Sequence, residues 1–162
     1  MASVERTRAV GDMKDVRPRR LSESNAALYR LDDQVGFMLR RVSQRHVSIF
    51  AGHMGEGITP TRWAALAKLY ENGPTSQNLL GRNTAMDAAT IKGVVDRLTK
   101  RRLIETQADT RDGRRRLVAL TDEGRRLVER SLANAMASTR QTLEPLTPPE
   151  RVALLNLLRK LA

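Results

Sequence analysis

Two neighbouring stretches decide the fold: residues 86–105, MDAATIKGVVDRLTKRRLIE, and residues 109–124, DTRDGRRRLVALTDEG. In the first stretch, apolar residues recur at the spacing of an amphipathic helix, three and four residues apart: Ile91, Val94, Val95 and Leu98. Asp87 precedes them as a helix-capping residue. Around the second stretch, two short β-like runs, residues 103–107 and 116–120, flank a polar segment that contains Asp and Gly. The sequence therefore predicts a helix that leads directly into a β-hairpin.

Just upstream, the sequence predicts a second, shorter helix. It contains Leu79 and Leu80, and Thr75 or Ser76 can cap it. A turn of residues 83–86 joins the two helices, so the region has the form of a helix-turn-helix. The outer face of the longer helix begins with small residues, which allow it to enter a major groove about 12 Å wide. That face carries Ala89, Thr90, Lys92, Gly93, Asp96, Arg97 and Lys100. The alternative interpretation is an ordinary solvent-exposed helix face.

The hairpin tip separates these two interpretations. Residues 109–116, DTRDGRRR, place four arginines within eight residues. Guanidinium groups this close repel one another and give the hairpin no stability, but beside a phosphate backbone they release counterions. A slender loop can also place one guanidinium in a minor groove. Residues 75–117 carry ten Lys and Arg against five Asp and Glu, a net charge of +5, which favours a polyanionic partner.

The rest of the chain is predicted to be helical. A first helix is predicted where apolar periodicity begins, at Leu31. Thr59-Pro60 marks the start of the next helix along the chain, which ends before Gly73-Pro74. After the hairpin, Thr121 caps a long helix that Pro145 stops. A capping box at residues 147–150 opens a leucine-rich last helix. We expect this helix to be buried against a second subunit, because it is apolar on more than one face.

These elements predict a mainly α (α+β) fold: a winged helix-turn-helix with a helical dimerisation region, six main helices and a two-stranded wing. Residues 1–21 are predicted to be a disordered basic tail, and the alternative is an arm that reaches DNA. Residues 22–57 are assigned to an N-terminal helix, residues 58–121 to the DNA-binding lobe, and residues 122–162 to C-terminal helices. All of these belong to one compact domain.

Composition excludes several functional classes. The 162 residues include 29 Lys and Arg against 18 Asp and Glu, a net charge of +11, and no cysteine, so cysteine nucleophiles and redox sensors are excluded. No phosphate loop or nucleophile motif indicates an enzyme. His46 and His53 have no cysteine partners for a zinc site, and no metal or cofactor is expected. Without a signal peptide or an apolar run of about 18 residues, we expect a cytoplasmic protein with no membrane partner.

The run of residues 58–127 resembles the multiple-antibiotic-resistance regulator (MarR) family of winged-helix repressors. Its most specific parts are the two stretches quoted above, and with the flanking helices the likeness covers about residues 31–162. The resemblance implies a homodimer whose first and last helices form the dimer part. It also implies that the dimer binds double-stranded DNA at a near-palindromic operator, and that a small molecule usually relieves the repression. It thus implies that residues 22–57 serve dimerisation and binding of this effector, and that residues 122–162 serve dimerisation.

The candidate DNA-binding residues lie on the helix-turn-helix and the hairpin. They are Ser76, Thr84, Ala89, Thr90, Lys92, Gly93, Arg97, Arg111, Arg114 and Arg115. The resemblance further implies a salt bridge that shapes the wing, and Asp109 or Asp112 with Arg114 or Arg115 match its places. Many members of the family have Arg where this chain has Gly93, so base recognition does not transfer from the family.

The resemblance places an effector pocket between the dimerisation helices and the DNA-binding lobe. The candidate residues are Met38, Arg41, Arg45, His46, Phe50, His53 and Trp63. Their cationic groups can hold a carboxylate while the rings stack on an aromatic ligand. Residues 31–50, LDDQVGFMLRRVSQRHVSIF, further resemble members that control aromatic-acid catabolism. The hypothesis is therefore an aromatic carboxylate or its thioester, while the alternative for Phe50 and Trp63 is plain core packing.

Two other functions remain as alternatives to a sequence-specific regulator. A non-specific architectural DNA-binding protein would bind operator and random DNA alike. A basic protein of the membrane surface would carry Lys and Arg opposite large apolar residues on amphipathic helices. Here the arginine cluster lies on a hairpin instead, which favours DNA as the partner.

Overall fold

The computed structural model describes residues 28–55, 57–110 and 112–162. Within these residues the chain forms six α-helices and two β-strands: α1 (Val35–Met54), α2 (Pro60–Asn72), α3 (Gln77–Asn83), α4 (Ala88–Lys100), β1 (Ile104–Ala108), β2 (Arg116–Leu120), α5 (Asp122–Thr142) and α6 (Pro148–Leu161). A short 3-10 turn (Leu31–Asp33) precedes α1. The predicted basic tail, residues 1–21, lies outside the described residues, and so does Arg111 at the hairpin tip.

The element order confirms the predicted mainly α fold with its two-stranded wing. The predicted helix caps also form. Thr59, Ser76, Asp87 and Thr121 each accept a hydrogen bond from the backbone N–H three residues further on. At the start of α6, the Glu150 carboxylate accepts the Thr147 backbone N–H at 2.8 Å. Hydrogen bonds from the Thr147 hydroxyl and backbone hold the pKa of Glu150 below its ordinary value.

Two predicted boundaries differ from the structure. Helix α1 begins at Val35 rather than Leu31, because Gln34 has an extended backbone (φ −82°, ψ 127°) that separates α1 from the 3-10 turn. Strand β1 begins at Ile104 rather than Leu103. The Leu103 N–H donates to Leu98 O and closes the C-terminal end of α4, with Arg102 in the left-handed region (φ 57°).

One apolar core lies where the helix-turn-helix, the wing and α5 meet. Its most deeply buried apolar side chains are Leu66, Leu69, Leu80, Ile91, Leu98, Ile104 and Val128. They come from α2, α3, α4, β1 and α5. Burying each of these large side chains stabilises the fold by about 1.5–3 kcal/mol. Because all five elements share this core, α4 and the wing keep a fixed relative position.

The wing is joined to the helix-turn-helix by a backbone bridge that the sequence did not reveal. Strands β1 and β2 pair antiparallel, with Ile104 opposite Leu120. On the other edge of β2, Thr75 N–H donates to Val118 O at 3.0 Å and Val118 N–H donates to Thr75 O at 2.8 Å. The sequence offered Thr75 as a helix cap, whereas the structure places it, 8% exposed, as a third short strand segment.

Helix α5 begins in direct contact with the root of the wing. The Thr121 hydroxyl donates to Arg102 O at 2.7 Å and accepts the Gly124 N–H at 3.0 Å, while Thr121 N–H donates to Leu103 O at 3.1 Å. Gly124 packs so closely that a Cβ atom built on it would lie well inside van der Waals contact with Leu103 O. No residue with a side chain fits there without moving the backbone.

The other end of α5 is held by cationic side chains. The Arg45 guanidinium of α1 donates to Thr142 O at 2.7 Å. Arg151 of α6 donates through Nε to Leu143 O at 3.1 Å and to Leu146 O at 2.9 Å. The last carbonyls of a helix have no partners within it and form the negative end of its dipole, so guanidinium groups are favourable here.

Large apolar side chains of α1 and α6 are exposed within the single chain. They include Val35, Met38, Leu39 and Val42 of α1, and Val152, Leu155, Leu157, Leu158 and Leu161 of α6. Helix α6 has no buried residue, so its predicted burial requires a second subunit. Exposed apolar surface of this extent marks a site of association. In the described part of the chain, no helix has the length and apolar character needed to span a bilayer.

The close approach of Gly124 to Leu103 predicts a large loss of stability on substitution. We expect Gly124→Ala to lower the free energy of unfolding by roughly 3 kcal/mol, because the new methyl group displaces the backbone at the root of the wing. Urea unfolding followed by circular dichroism measures this change.

The matched control is Gly52→Ala in α1, where an added Cβ meets no atom of the chain within 4 Å. There the change removes a helix-disfavouring residue and should stabilise the protein by up to about 1 kcal/mol. Equal effects of the two substitutions would contradict the close contact at Gly124.

Candidate DNA interface and effector cavity

Helices α3 and α4 are joined by a tight turn whose polar groups bond within the turn itself. The Thr84 hydroxyl donates to Leu80 O at 2.6 Å, and Met86 N–H donates to Gly81 O at 2.9 Å. Ala85 has a left-handed backbone (φ 52°), which turns the chain sharply into α4. The hydroxyl proton of Thr84, a predicted DNA contact, is thus used inside the turn. Ser76, another predicted contact, accepts the Leu79 N–H with its hydroxyl.

The predicted outer face of α4 is exposed. Ala89, Thr90, Lys92 and Arg97 are all exposed, and Gly93 is half-buried beside them. The opposite face, Ile91, Val94, Val95 and Leu98, lies in the core. The helix is therefore fixed by its apolar side while its polar side faces outward, the arrangement needed for insertion into a major groove.

The first turn of α4 is organised by Asp87. Its carboxylate accepts the Thr90 N–H at 2.8 Å and the Thr90 hydroxyl at 3.0 Å. These hydrogen bonds favour the charged form and hold the pKa of Asp87 below its ordinary value. The hydroxyl proton of Thr90 is consequently engaged on Asp87. Two groups remain for a base or phosphate: the γ-methyl of Thr90 and the lone pairs of its oxygen.

The wing tip presents several guanidinium groups to solvent. Arg114, Arg115 and Arg116 are exposed. The turn that carries them is closed by the Arg115 N–H, which donates to Asp112 O at 2.8 Å, and by the Asp109 N–H, which donates to Arg115 O at 3.0 Å. The backbone thus directs the arginines without using their side chains.

The predicted wing salt bridge is not formed by Asp112 in the part of the wing that the structure describes. The Asp112 carboxylate instead accepts the Arg114 backbone N–H at 3.1 Å. A short Asp side chain reaches a backbone donor two residues ahead more readily than a guanidinium on the same turn. Asp109 also has an interaction partner, and its pairing with Arg115 stays a prediction.

Two arginines near the candidate interface bond to the loop between α1 and α2. Arg62 Nη1 donates to Gly57 O at 2.8 Å, and Arg101 Nη1 donates to the same oxygen. Gly57 has a positive φ of 86°, and a Cβ atom there would overlap the Arg101 guanidinium. The sequence counted Arg101 among the cations of the DNA-binding segment, whereas the structure ties it to the loop between α1 and α2.

The seven predicted effector residues do not form one pocket. Met38, Arg41 and Arg45 line a depression of about 410 Å³ on one side of α1. His46, Phe50 and Trp63 line a cavity of about 310 Å³ between α1, α2 and α5. His53 lines a third depression with Arg140, Gln141 and Arg151. Successive residues of a helix point about 100° apart, so the stripe at 38, 41 and 45 faces away from the stripe at 46, 50 and 53.

Several of these side chains already have partners. Arg45 caps α5, and Arg41 lies 3.8 Å from the Asp32 carboxylate and 5.9 Å from the centre of the Phe37 ring. Phe50 is only 3% exposed and belongs to the core, as the alternative interpretation proposed for it. Trp63 is partly buried and packs against that core while still lining the cavity.

His46 has a defined hydrogen-bonding role in the cavity between α1, α2 and α5. Its Nδ1 lies 2.9 Å from Thr142 Oγ1, and that hydroxyl donates its proton to Ser138 O at 2.7 Å. The hydroxyl must therefore accept, so His46 Nδ1 carries a proton. The other ring nitrogen, Nε2, remains free to meet a ligand. His53 is similarly fixed to α5 through Nε2 and Gln141 Oε1 at 2.7 Å, but it faces a different depression.

The cavity is lined by groups suited to an aromatic ligand. Apolar side chains of α5, Leu132, Ala135 and Met136, form one wall, and Trp63 and Phe50 form the other. Glu71 also lines the cavity and is paired with Lys68 at 2.6 Å. Within the described residues, no group of three or more His, Cys, Asp or Glu is placed to hold a metal ion.

Comparison with known proteins gives consistent matches. A sequence profile described as the MarR family matches residues 56–115. The HTH-type transcriptional repressor NicR of Pseudomonas putida is 37% identical over 134 residues, which cover 82% of this chain and 85% of NicR.

Solved structures confirm the winged helix-turn-helix fold. The crystal structure of a probable transcriptional regulator from Pseudomonas aeruginosa is 56% identical, with a TM-score of 0.78, and covers 82% of this chain and 100% of that chain. BpsR of Bordetella bronchiseptica, whose DNA binding is regulated by 6-hydroxynicotinic acid, is 40% identical with a TM-score of 0.77. That match covers 82% of this chain and 96% of BpsR.

The cap of α4 predicts a pH dependence of stability. The pKa of Asp87 lies below its ordinary value of 3.8 in the folded chain, so the cap contributes fully above that pH. The contribution is lost as the pH falls through the lowered pKa. Asp87→Asn can still accept the Thr90 N–H but does not titrate. We expect its free energy of unfolding to change less than that of the wild type between about pH 5 and pH 3.

Urea unfolding at several pH values measures both profiles. Other carboxylates also have a lowered pKa, including Glu123, which accepts hydrogen bonds from Arg130 and Arg126. These groups titrate alike in both proteins, so the difference between the profiles isolates Asp87. Parallel profiles would show that the negative charge of Asp87 does not stabilise the start of α4.

Proposed function

The chain belongs to the MarR family of transcriptional regulators, and from this we propose that it is a homodimeric repressor released from DNA by an aromatic carboxylate or its thioester. The family consists of regulators rather than enzymes. NicR, its relative in Pseudomonas putida, is a transcriptional repressor, and the DNA binding of BpsR is regulated by a pyridine carboxylic acid. We place the protein in the cytoplasm, where its operator is accessible.

One observation carries the DNA-binding part of this proposal. The exposed face of α4 and the arginines of the wing tip belong to one lobe, joined through the Thr75–Val118 bridge and the shared core. A rigid helix for the major groove and a basic loop for the neighbouring minor groove thus move as one unit. The predicted contacts that this arrangement favours are Ala89, Thr90, Lys92, Gly93, Arg97, Arg114 and Arg115.

A homodimer follows from the exposed apolar faces of α1 and α6. A two-fold axis through these faces presents two copies of α4 to DNA, which accounts for a near-palindromic operator with half-sites about 34–36 Å apart. A non-specific architectural protein needs no such spacing. Equal affinity for operator and random DNA would favour that alternative.

The effector is proposed to bind in the cavity lined by His46, Phe50 and Trp63. The aromatic body of the ligand packs between Trp63 and the apolar wall of α5, and His46 Nε2 meets its polar group. Helix α1 contributes to this cavity and also carries the exposed dimer face. A ligand that separates α1 from α5 therefore changes the spacing of the two DNA-binding lobes, because α5 connects the wing to the dimer region.

Substitution of an arginine at the wing tip is predicted to weaken DNA binding and to leave the dimer intact. Arg114→Ala or Arg115→Ala should weaken operator binding and reduce the slope of log affinity against log salt by about 1 for each phosphate that is no longer neutralised. Fluorescence anisotropy at several salt concentrations measures the slope, and sedimentation measures the dimer.

Lys160→Ala in α6 is the matched control, since it removes the same charge from an exposed position outside the lobe. It should leave the salt slope unchanged. If both wing variants bind DNA as the wild type does, the wing does not touch the operator.

The position of the effector cavity predicts that substitution of His46 weakens ligand binding and that substitution of His53 does not. We expect 6-hydroxynicotinate to bind the wild-type dimer in calorimetry and to lower its affinity for operator. His46→Gln should weaken ligand binding roughly tenfold or more, because it removes the ring nitrogen Nε2 that is proposed to hydrogen-bond to the polar group of the ligand. DNA binding without ligand should persist.

His53→Gln is the matched control, because His53 also bonds to α5 but lines a different depression. It should respond to the ligand as the wild type does. Equal losses in both variants would place the effector outside the His46 cavity. If none of a panel of aromatic acids binds or changes operator affinity, the effector class is wrong.

A further inference from the structure

The face of the lobe that is proposed to bind DNA contains a notch to which the proposed function assigns no ligand. It measures about 510 Å³ and lies between the first turns of α4 and the N-terminal end of α2. On the α4 side it is lined by Ala89, Thr90, Gly93, Val94 and Arg97, and on the α2 side by Thr59, Thr61 and Arg62. Gly93 has no side chain, and the Arg97 guanidinium lies near the space that a Cβ atom there would occupy, with Nη1 3.4 Å from it.

The groups that α4 offers to a ligand in this notch are mainly apolar. Ala89 offers only a methyl group, and the hydroxyl proton of Thr90 is engaged on the Asp87 carboxylate at 3.0 Å. Thr90 thus retains its γ-methyl but no free hydrogen-bond donor. Gly93 O is already approached by Arg97 Nη1 at 3.5 Å. Apart from Arg97, the α4 residues that line the notch therefore offer no free side-chain donor to guanine or phosphate.

Two arginines line the notch, and each guanidinium is hydrogen-bonded to a backbone carbonyl of the chain. The Arg62 guanidinium donates to Gly57 O at 2.8 Å, and Arg97 folds back along its own helix toward Gly93. Lys92, one position before Gly93, does not line the notch. Lys92 thus lies beside the methyl groups of Ala89 and Thr90 rather than between them and a ligand.

In the major groove, a protruding apolar group identifies one base. Thymine carries a 5-methyl group, whereas cytosine, adenine and guanine present only donors and acceptors there, and Ala and Thr methyl groups are its usual partners. We propose that the notch formed by Ala89, Thr90 and Gly93 holds the 5-methyl group of a thymine in each operator half-site. This makes Gly93 a specificity-determining residue, and the inference rests on the proposed DNA-binding function.

The size of the effect follows from burial of one methyl group. Removing a buried methyl lowers affinity by about fourfold, so loss of the methyl in both half-sites of a dimer should lower it by about fifteenfold. Replacing thymine with deoxyuridine removes this methyl group and leaves base pairing intact. The substitution is therefore a specific probe of the notch.

The experiment begins with selection of bound duplexes from a random pool by the full-length protein. Each thymine of the selected half-site is then replaced by deoxyuridine, and affinity is measured by fluorescence anisotropy. We expect replacement of the recognised thymine to lower affinity about fourfold in one half-site and about fifteenfold in both, and replacement at the other positions to change it little.

Gly93→Ala tests whether the notch itself is responsible. An added Cβ at Gly93 meets only Arg97 Nη1, at 3.4 Å, so the fold tolerates it while the recess is filled. The variant should bind the thymine operator more weakly and lose the difference between thymine and deoxyuridine. Thr99→Ala, an exposed position on the same helix outside the notch, should keep that difference.

Each outcome has a distinct meaning. If selection yields no common sequence, the proposed sequence-specific function is wrong. If a sequence emerges but deoxyuridine is harmless at every thymine, the regulator stands and methyl recognition is overturned. If deoxyuridine lowers affinity equally for wild type and Gly93→Ala, the methyl is recognised elsewhere and the assignment to the notch is overturned.

Discussion

Helix α5 is fixed at both ends by contacts that leave little room for adjustment, and the rest of the structure depends on this. At its start, Gly124 lies against the Leu103 carbonyl and Thr121 bonds to the root of the wing. At its end, Arg45 and Arg151 satisfy carbonyls that the helix itself cannot. The 21 residues between span about 30 Å, so the helix transmits position from the dimer region to the DNA-binding lobe.

Histidine and arginine side chains of α1 therefore hold α5 in place, and one of them also lines the candidate effector cavity. Arg45 and His46 are adjacent, yet one caps α5 and the other both bonds to Thr142 and lines a cavity. The ligand proposed for that cavity would compete for space with the packing that positions α5. Its binding free energy would then be coupled to the geometry of the two lobes, which is the thermodynamic requirement for allosteric control.

Local chemistry made most of the fold predictable from the sequence. Helix caps at Thr59, Asp87 and Thr121, and the apolar stripe of α4, are patterns within a few residues, and each appears as expected. The Thr75–Val118 bridge joins residues 43 positions apart, and no local pattern encodes it. The effector candidates were grouped by residue type, but they lie in three depressions. Residues 38, 41 and 45 lie on a different side of α1 from residues 46 and 50, and His53 lies about one turn beyond Phe50. Of the wing, the hairpin and its basic tip were predictable, but the hydrogen bond from Arg114 N–H to the Asp112 carboxylate was not, because it depends on the turn conformation.

The exposed apolar faces of α1 and α6 make the stability of this protein depend on its concentration. Where folding and pairing bury the same surface, the association free energy adds to the free energy of unfolding. Each tenfold dilution then removes about 1.4 kcal/mol from the dimer relative to its separated chains. When few copies of the protein are present, an operator that binds the dimer holds two chains side by side. The operator thereby stabilises the dimer against dissociation.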